Sequence, residues 1–169
     1  MYRTDRLNLR PGRMEDAPAL FRAIADPDIV RNLASAPWPY SPADAERLAS
    51  GSFNPKEPRL FIFRADAGTE ELIGVAGLDR MPDGDVELGY WIAKEHWNRG
   101  YASEAGRTMI GIARSELKLA RLVAGYFVDN PASGHVLKKL GFVPVPGLVD
   151  RNSRARGGVA ACQICTLDL

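Results

Sequence analysis

The sequence is short of several things that would mark common protein classes. Two cysteines and two histidines in 169 residues give no disulfide framework and no second cysteine pair for a structural zinc site. Cys162 and Cys165 do form a C-x-x-C spacing, but residues 159–167 read as a terminal strand, and strand residues three apart face opposite sides. The two sulfurs are expected to diverge as structural thiols, and no metal is expected. No apolar run approaches the ~18 residues of a membrane span, and the charged start, Arg3, Asp5 and Arg6, leads into no signal-peptide pattern. A soluble, cytoplasmic protein is the expectation. An excess of one charge is also missing: 22 Lys+Arg oppose 21 Asp+Glu, a net +1, so no bulk field gathers nucleic acid or anionic lipid. The phosphate loop G-x-x-x-x-G-K-[ST], a G-x-G-x-x-G after a strand, H-E-x-x-H and G-x-S-x-G are all absent, which removes support for nucleotide kinases, dinucleotide enzymes, zincins and nucleophile-elbow hydrolases.

What is present is the raw material of one folded domain, residues 1–169. Apolar residues make up 46% and charged residues 25%, enough for a core without staples. Residues 7–10 alternate as a first strand. The spacing of Met14, Ala17, Phe21 and Ile24 predicts a helix over 14–25, with Pro18 in its first turn. Ser41, Pro42 and Asp44 predict a capped second helix ending at Gly51. Residues 60–65, 72–78 and 86–92 then read as an antiparallel meander with turns at 66–68 and 82–84. A long helix over 100–117, a strand over 122–128 and a short helix follow, the last opened by Asn130 and Pro131 and closed by Gly141. Residues 142–145 and 159–167 are the final strands. A mixed sheet with helices on its faces accommodates this order.

One junction stands out, where the strand at 86–92 runs through a short turn into the longest helix. Its first N–H groups have no intrahelical acceptor and sit at the positive end of the helix dipole, so residues 98–103 form a candidate anion site. Arg99 adds charge, while Gly100 and Ala102 leave the backbone accessible. On physics alone, a convenient helix start accounts for Gly100 equally well.

The run W-N-R-G-Y-A-S-E-A at 97–105 is preceded by E-L-G-Y-W-I at 87–92 and followed by D-N-P-A-S at 129–133 and K-K-L-G-F at 138–142. Together these resemble the GNAT superfamily of acyl-CoA-dependent N-acyltransferases, and within it the branch containing the ribosomal-protein N-terminal acetyltransferases. T-D-R-L-N-L-R-P at 4–11 is similar to that branch as well. The resemblance implies an α/β (α+β) fold: a mixed, mostly antiparallel sheet of about seven strands, flanked by about four helices, with a splay between the fourth and fifth strands. It implies acetyl-CoA as acyl donor and a primary amine as acceptor, either a protein N-terminal α-amine or a small molecule, attacking through a tetrahedral intermediate. The cofactor signature [QR]-x-x-G-x-[GA] falls on Trp97, Asn98, Arg99, Gly100, Tyr101 and Ala102, with Trp97 departing from its first position. Backbone amides up to Ser103 would hold the CoA pyrophosphate. Ile92 would end a strand edge that pairs with the pantetheine arm and offers an oxyanion donor.

Glu87 is the candidate base. By strand parity it shares a face with Gly89 and Trp91, and Gly89 leaves room beside the carboxylate for an amine; without the resemblance, a solvated surface Glu is the simpler reading. Many members of the superfamily use as acid a Tyr four residues before the glycine of the L-G-F turn, and here that position is Leu137. The branch resemblance points instead to Ser133, which could equally be an ordinary first-turn residue. Asn130 could cap its helix and contact pantetheine, and Lys138, with Lys139, could meet phosphates or simply suit a helix C-terminus. Trp38 and Tyr40, held among prolines, are candidate walls of the acceptor groove or core plugs. Arg151, Arg154 and Arg156 lie in a loop at 146–158 that would favour an acidic acceptor if it overhangs that groove, and is otherwise a solvated charged loop. The competing function is a non-catalytic acyl-CoA sensor or docking module; a phosphate binder without CoA specificity is the third. Monomer and homodimer are both compatible with an edge strand near the C-terminus.

Overall fold

The structure, a computed structural model, describes residues 1–65 and 70–169; the predicted turn at 66–68 lies outside the described residues. Strands β1 (Tyr2–Arg3) and β2 (Leu7–Arg10) come first, then helices α1 (Ala17–Ile24), α2 (Pro27–Val30) and α3 (Pro42–Ala49). The meander is β3 (Arg59–Arg64), β4 (Glu71–Arg80) and β5 (Val86–Ile92), followed by α4 (Tyr101–Ser115), β6 (Arg121–Phe127), α5 (Pro131–Lys139), β7 (Val143–Pro144), β8 (Val149–Ser153) and β9 (Gly158–Asp168). Among the described residues the strands form one sheet in the order β1-β2-β3-β4-β5-β6-β9-β7, with β8 also paired to β9. Every pairing is antiparallel except β5 with β6, which run parallel and meet at one register pair, Glu87 with Val123. Beyond that pair the two strands part, at the splay expected between the fourth and fifth predicted strands.

Local chemistry explains most boundaries. At α3 the Ser41 hydroxyl accepts the Asp44 N–H at 3.2 Å and the Asp44 carboxylate accepts the Ser41 N–H at 3.0 Å, with Pro42 at the first helical position. The first predicted helix starts later than expected. A 3₁₀ turn at Met14–Asp16 precedes it, and the Asp16 carboxylate is taken by the Arg13 N–H at 2.8 Å and by both Arg10 terminal nitrogens at 2.8 Å. Its buried face is therefore Ala17, Leu20, Ala23 and Ile24, whereas Met14 is exposed. Asn130 stands at the start of α5, but its side chain makes no capping hydrogen bond. Gly141 ends α5 at φ +93°, where the Phe142 N–H reaches back to the Leu137 carbonyl at 3.0 Å.

Strand parity divides the interior into two cores. Leu7, Leu9, Leu60, Ile62, Leu78 and Leu88 face Tyr101, Ala105, Met109 and Ile112 of α4 and Leu137 of α5. Phe61, Phe63, Leu72 and Val75 face α1, α2 and α3 on the other side. Cys162 and Cys165 are free and buried; Cys165 joins the α4–α5 core, while the Cys162 sulfur lies near the Gly125 backbone on the opposite face. Burial pushes both thiols up. No described helix is long and apolar enough to cross a membrane.

Three elements differ from expectation. β1 and α2 are additional, and residues 146–158 are not a loop: β8 pairs with β9 from Val149 opposite Cys162 to Ser153 opposite Gly158. This hairpin is pinned to the rest of the molecule. The Ser153 hydroxyl donates to the Leu33 carbonyl at 3.1 Å, the Arg154 N–H to Ala34 at 3.1 Å, and Arg156 grips both Asp129 oxygens at 2.8 Å.

Candidate active site

The junction between β5 and α4 is built to expose backbone donors. A 3₁₀ turn at Lys94–His96 leads out of β5, and the Trp97 indole N–H donates to the Ile92 carbonyl at 2.7 Å, tying the turn to the strand end. Asn98 at φ +60° and Gly100 at φ +81° then fold the chain into the helix. The first α4 amide to find a backbone acceptor is that of Glu104, bonded to the Gly100 carbonyl at 3.1 Å. Among the described residues, the N–H groups of residues 98–103 make no hydrogen bond to protein. Converging free amides at the head of a fifteen-residue helix form an anion cradle. The Arg99 side chain is exposed there, while Tyr101 and Ser103 are buried, so these two can offer only their backbone.

The sequence did not single out the brace behind this cradle. Glu104 accepts the Thr4 hydroxyl at 2.5 Å, the Arg6 N–H at 3.1 Å and the Arg6 guanidinium at 2.8 and 2.6 Å. Arg6 also donates to the Arg99 carbonyl at 2.9 Å and stacks over the Tyr101 ring at 4.6 Å. Burial opposes the Glu104 charge, but the bonds from Thr4 and Arg6 outweigh it and hold the carboxyl below its ordinary value.

On the α4–α5 face of the splay, the Ser133 hydroxyl lies 3.1 Å from the Tyr90 phenol, which also reaches the Ser133 carbonyl at 3.3 Å. Burial pushes the phenol up to about 12. Leu137 is 1% exposed and belongs to the core. Lys138 points elsewhere: with His135, Gly134 and Tyr126 it lines a cleft of about 670 Å³ between α5 and the β7–β9 edge, on a different side of α5 from Ser133.

The opposite face holds Glu87. Its register partner on β4 is Asp79, which therefore shares that face and is paired with Arg59 at 2.6 Å. Next along come Gly89 and its partner Gly77. A Cβ at Gly89 would meet nothing within 4 Å, so the space beside the carboxylate is open. Glu87 is not a free carboxylate, however. Arg151 of β8 reaches it in a two-pronged pair, at 2.5 and 3.0 Å, with the two side chains 18% and 22% exposed. Burial works against the Arg151 charge, but Glu87 more than compensates and holds the guanidinium above its ordinary value. Of the other two arginines in the hairpin, Arg156 grips Asp129 and Arg154 makes a long 3.5 Å contact with the Ser35 carbonyl.

Trp38 and Tyr40 separate. Tyr40 is buried in the core beneath α1–α3, where burial and the nearby Asp44 charge push its phenol up to about 12, while Trp38 is 45% exposed. The described residues contain no cluster of metal-ligating side chains.

Comparison with known proteins agrees with this geometry. The family described as "Acetyltransferase (GNAT) domain" matches residues 6–143. The chain is 34% identical over 146 residues to the uncharacterised N-acetyltransferase YoaA of Bacillus subtilis, covering 82% of this chain and 80% of that protein. It is 34% identical over 86 residues to the ribosomal-protein-serine acetyltransferase of Escherichia coli, covering 50% of this chain and 46% of that one. The fold superimposes with a TM-score of 0.79 on RimL, a ribosomal L7/L12 α-N-protein acetyltransferase solved with coenzyme A, at 18% identity and over 98% of this chain and 96% of that one. With the family match spanning most of the sequence and the fold matching nearly end to end, the chain belongs to the GNAT family of acyl-CoA-dependent N-acetyltransferases, and it resembles the ribosomal-protein acetyltransferases within that family.

Proposed function

We propose that residues 1–169 act as one domain that transfers the acetyl group of acetyl-CoA to a primary amine, a protein N-terminal α-amine or that of a small molecule, by direct attack on the thioester. The observation that carries this reading is the splay after Glu87 and Val123, with Glu87 beside bare Gly89 on one face and Ser133 backed by Tyr90 on the other. Acetyl-CoA supplies the activated acyl group. The free amides of residues 98–103 and Arg99 would hold its pyrophosphate, and the unpaired edge of β5 up to Ile92 its pantetheine arm, with Asn130 across the opening. An N–H near Ile92 would face the acyl oxygen as charge develops on it.

Glu87 takes the proton of the attacking amine, directly or through one water. An ionised carboxylate offers about four lone-pair sites; Arg151 uses two, and the space over Gly89 gives access to the rest. On the other face, the departing sulfur needs a hydrogen-bond donor. Tyr90 stays protonated and can donate to the Ser133 oxygen, which leaves the Ser133 hydrogen free to turn toward the sulfur. Trp38, the exposed aromatic of the proline-rich segment, is the better placed of the two aromatics to meet an acceptor.

The test is to incubate the protein with acetyl-CoA and a panel of peptides and small amines while following free thiol and acetylated product. Turnover on an amine is expected. Leu137, buried where many relatives of the fold carry a tyrosine acid, favours one alternative, the acyl-CoA sensor. Thermal stabilisation by CoA with no turnover on any amine would establish it, and equal stabilisation by ATP would instead indicate a general phosphate binder.

A further inference from the structure

We infer that Arg151 determines acceptor specificity, and that the acceptor class is an amine with a carboxylate close to it: the acceptor's amine end meets Glu87 and its carboxylate meets Arg151. The inference rests on the reading of Glu87 as the group that meets the amine.

Arg151 belongs to β8 and reaches Glu87 across β9 and β6. The path exists because β6 carries Gly125 at the crossing. A Cβ there would stand 2.8 Å from the nearer Arg151 terminal nitrogen and 3.0 Å from the Cys162 sulfur. The guanidinium is also preorganised, since the hairpin bearing it is fastened through Ser153, Arg154 and Arg156. A partly buried ion pair is weak evidence of a stabilising role, because desolvation offsets much of its attraction. It does impose a charge pattern. Across this face the order is Arg59, Asp79, Glu87, Arg151, two neighbouring carboxylates flanked by a guanidinium at each end.

A guanidinium carries five N–H donors in a fork suited to carboxylates. Glu87 takes one N–H from each of the two terminal nitrogens and the Cys162 sulfur lies against the same guanidinium, so the fork has more N–H donors than Glu87 uses. A neighbouring negative and positive group is complementary to a zwitterion laid antiparallel to it. A carboxylate near the acceptor amine gains a charge-assisted bond to Arg151 as the amine reaches Glu87. An acceptor with a second ammonium in that place meets Arg151 as a like charge. Free amino acids and peptides with an acidic residue at the N-terminus share this chemistry.

The experiment measures kcat/KM with acetyl-CoA for acceptors matched except for the carboxylate: free amino acids against their amides, and peptides beginning with Asp or Glu against those beginning with Asn or Gln. Wild type, Arg151→Met, Arg151→Lys and Gly125→Ala are compared, with CoA-induced thermal stabilisation as the check that each is folded. The wild type should favour the carboxylate member of at least one arm by about tenfold or more, mostly through KM, and the arm showing the preference identifies the source. Arg151→Met should bring the ratio to within about twofold, Arg151→Lys should keep part of it, and Gly125→Ala should reduce it by displacing the guanidinium. A wild type indifferent to the carboxylate in both arms, or an Arg151→Met that keeps the preference, overturns the inference while leaving acetyl transfer standing. Should CoA bind and no amine be acetylated, the proposed function itself fails, and the specificity with it. If Arg151→Met does not fold, the wild-type ratio and Arg151→Lys decide.

Discussion

A carboxylate on a strand face serves as a base only where an amine can reach it, and at Glu87 that access comes from the missing side chain of Gly89. Both were readable from strand parity, because alternation along β5 puts residues 87 and 89 on one side whatever the rest of the chain does. The sequence offered Arg151 only as one arginine of a loop that would favour an acidic acceptor, and neither its pairing with Glu87 nor that of Tyr90 with Ser133 was readable. Their bonds to Glu87 and Ser133 join positions 64 and 43 residues apart, and no periodicity connects residues that meet only through tertiary structure. Tyr90 supports a sharp expectation: Tyr90→Phe removes the donor to Ser133 while retaining the buried ring, so kcat should fall by about tenfold or more with KM for acetyl-CoA little changed. An unchanged kcat would reduce the phenol to a packing group.

Elements with explicit end signals were legible, and those without were not. Ser41 with Asp44, the glycines at 100 and 141, and Pro131 mark helix ends by chemistry local to each. β1, α2 and β8 are two to five residues long, too short for periodicity, and β8 is polar because it is an edge strand with little burial. The β4–β5 seam, on the other edge of β5 from the splay, depends on an element-level contact. Gly74 of β4 lies against the end of β5, where a Cβ would come 2.3 Å from the Trp91 carbonyl oxygen. Gly74→Ala should therefore cost about 1–3 kcal/mol in urea unfolding, and no loss would mean that the strands simply spread. The brace on α4 predicts a pH dependence. Asp16, like Glu104, has a carboxyl held below its ordinary value, in its case by Arg10 and the Arg13 N–H against the opposing effect of burial. Groups with depressed folded-state values contribute stability above the unfolded carboxylate range and lose it as pH falls through the folded values. Unfolding free energy should drop below about pH 4, and less steeply in Glu104→Gln, as followed by chemical denaturation across pH 2.5 to 7. A Glu104→Gln profile parallel to wild type would remove Glu104 from that response.

At the scale of the molecule, the near-zero net charge conceals a partition. Free amides and Arg99 gather at one end of the splay, and the charged row from Arg59 through Asp79 and Glu87 to Arg151 occupies the sheet face with Glu87. A sheet packed on both faces holds β5 rigidly against β4 while leaving its other edge largely unpaired, so a thioester drawn into the splay would have Ser133 on one side and Glu87 on the other. The sequence motifs located this opening because family resemblance and strand order agreed; its wall, the pinned β8–β9 hairpin, came only with the fold. The most direct test of acetyl transfer through Glu87 is single-substrate kinetics on the best amine acceptor, with wild type and Glu87→Gln side by side and CoA affinity measured for each. Glu87→Gln should lower kcat by about 10²-fold or more with CoA affinity within about twofold. A Glu87→Gln rate within about threefold of wild type, under about 1 kcal/mol of barrier, would contradict Glu87 as the base.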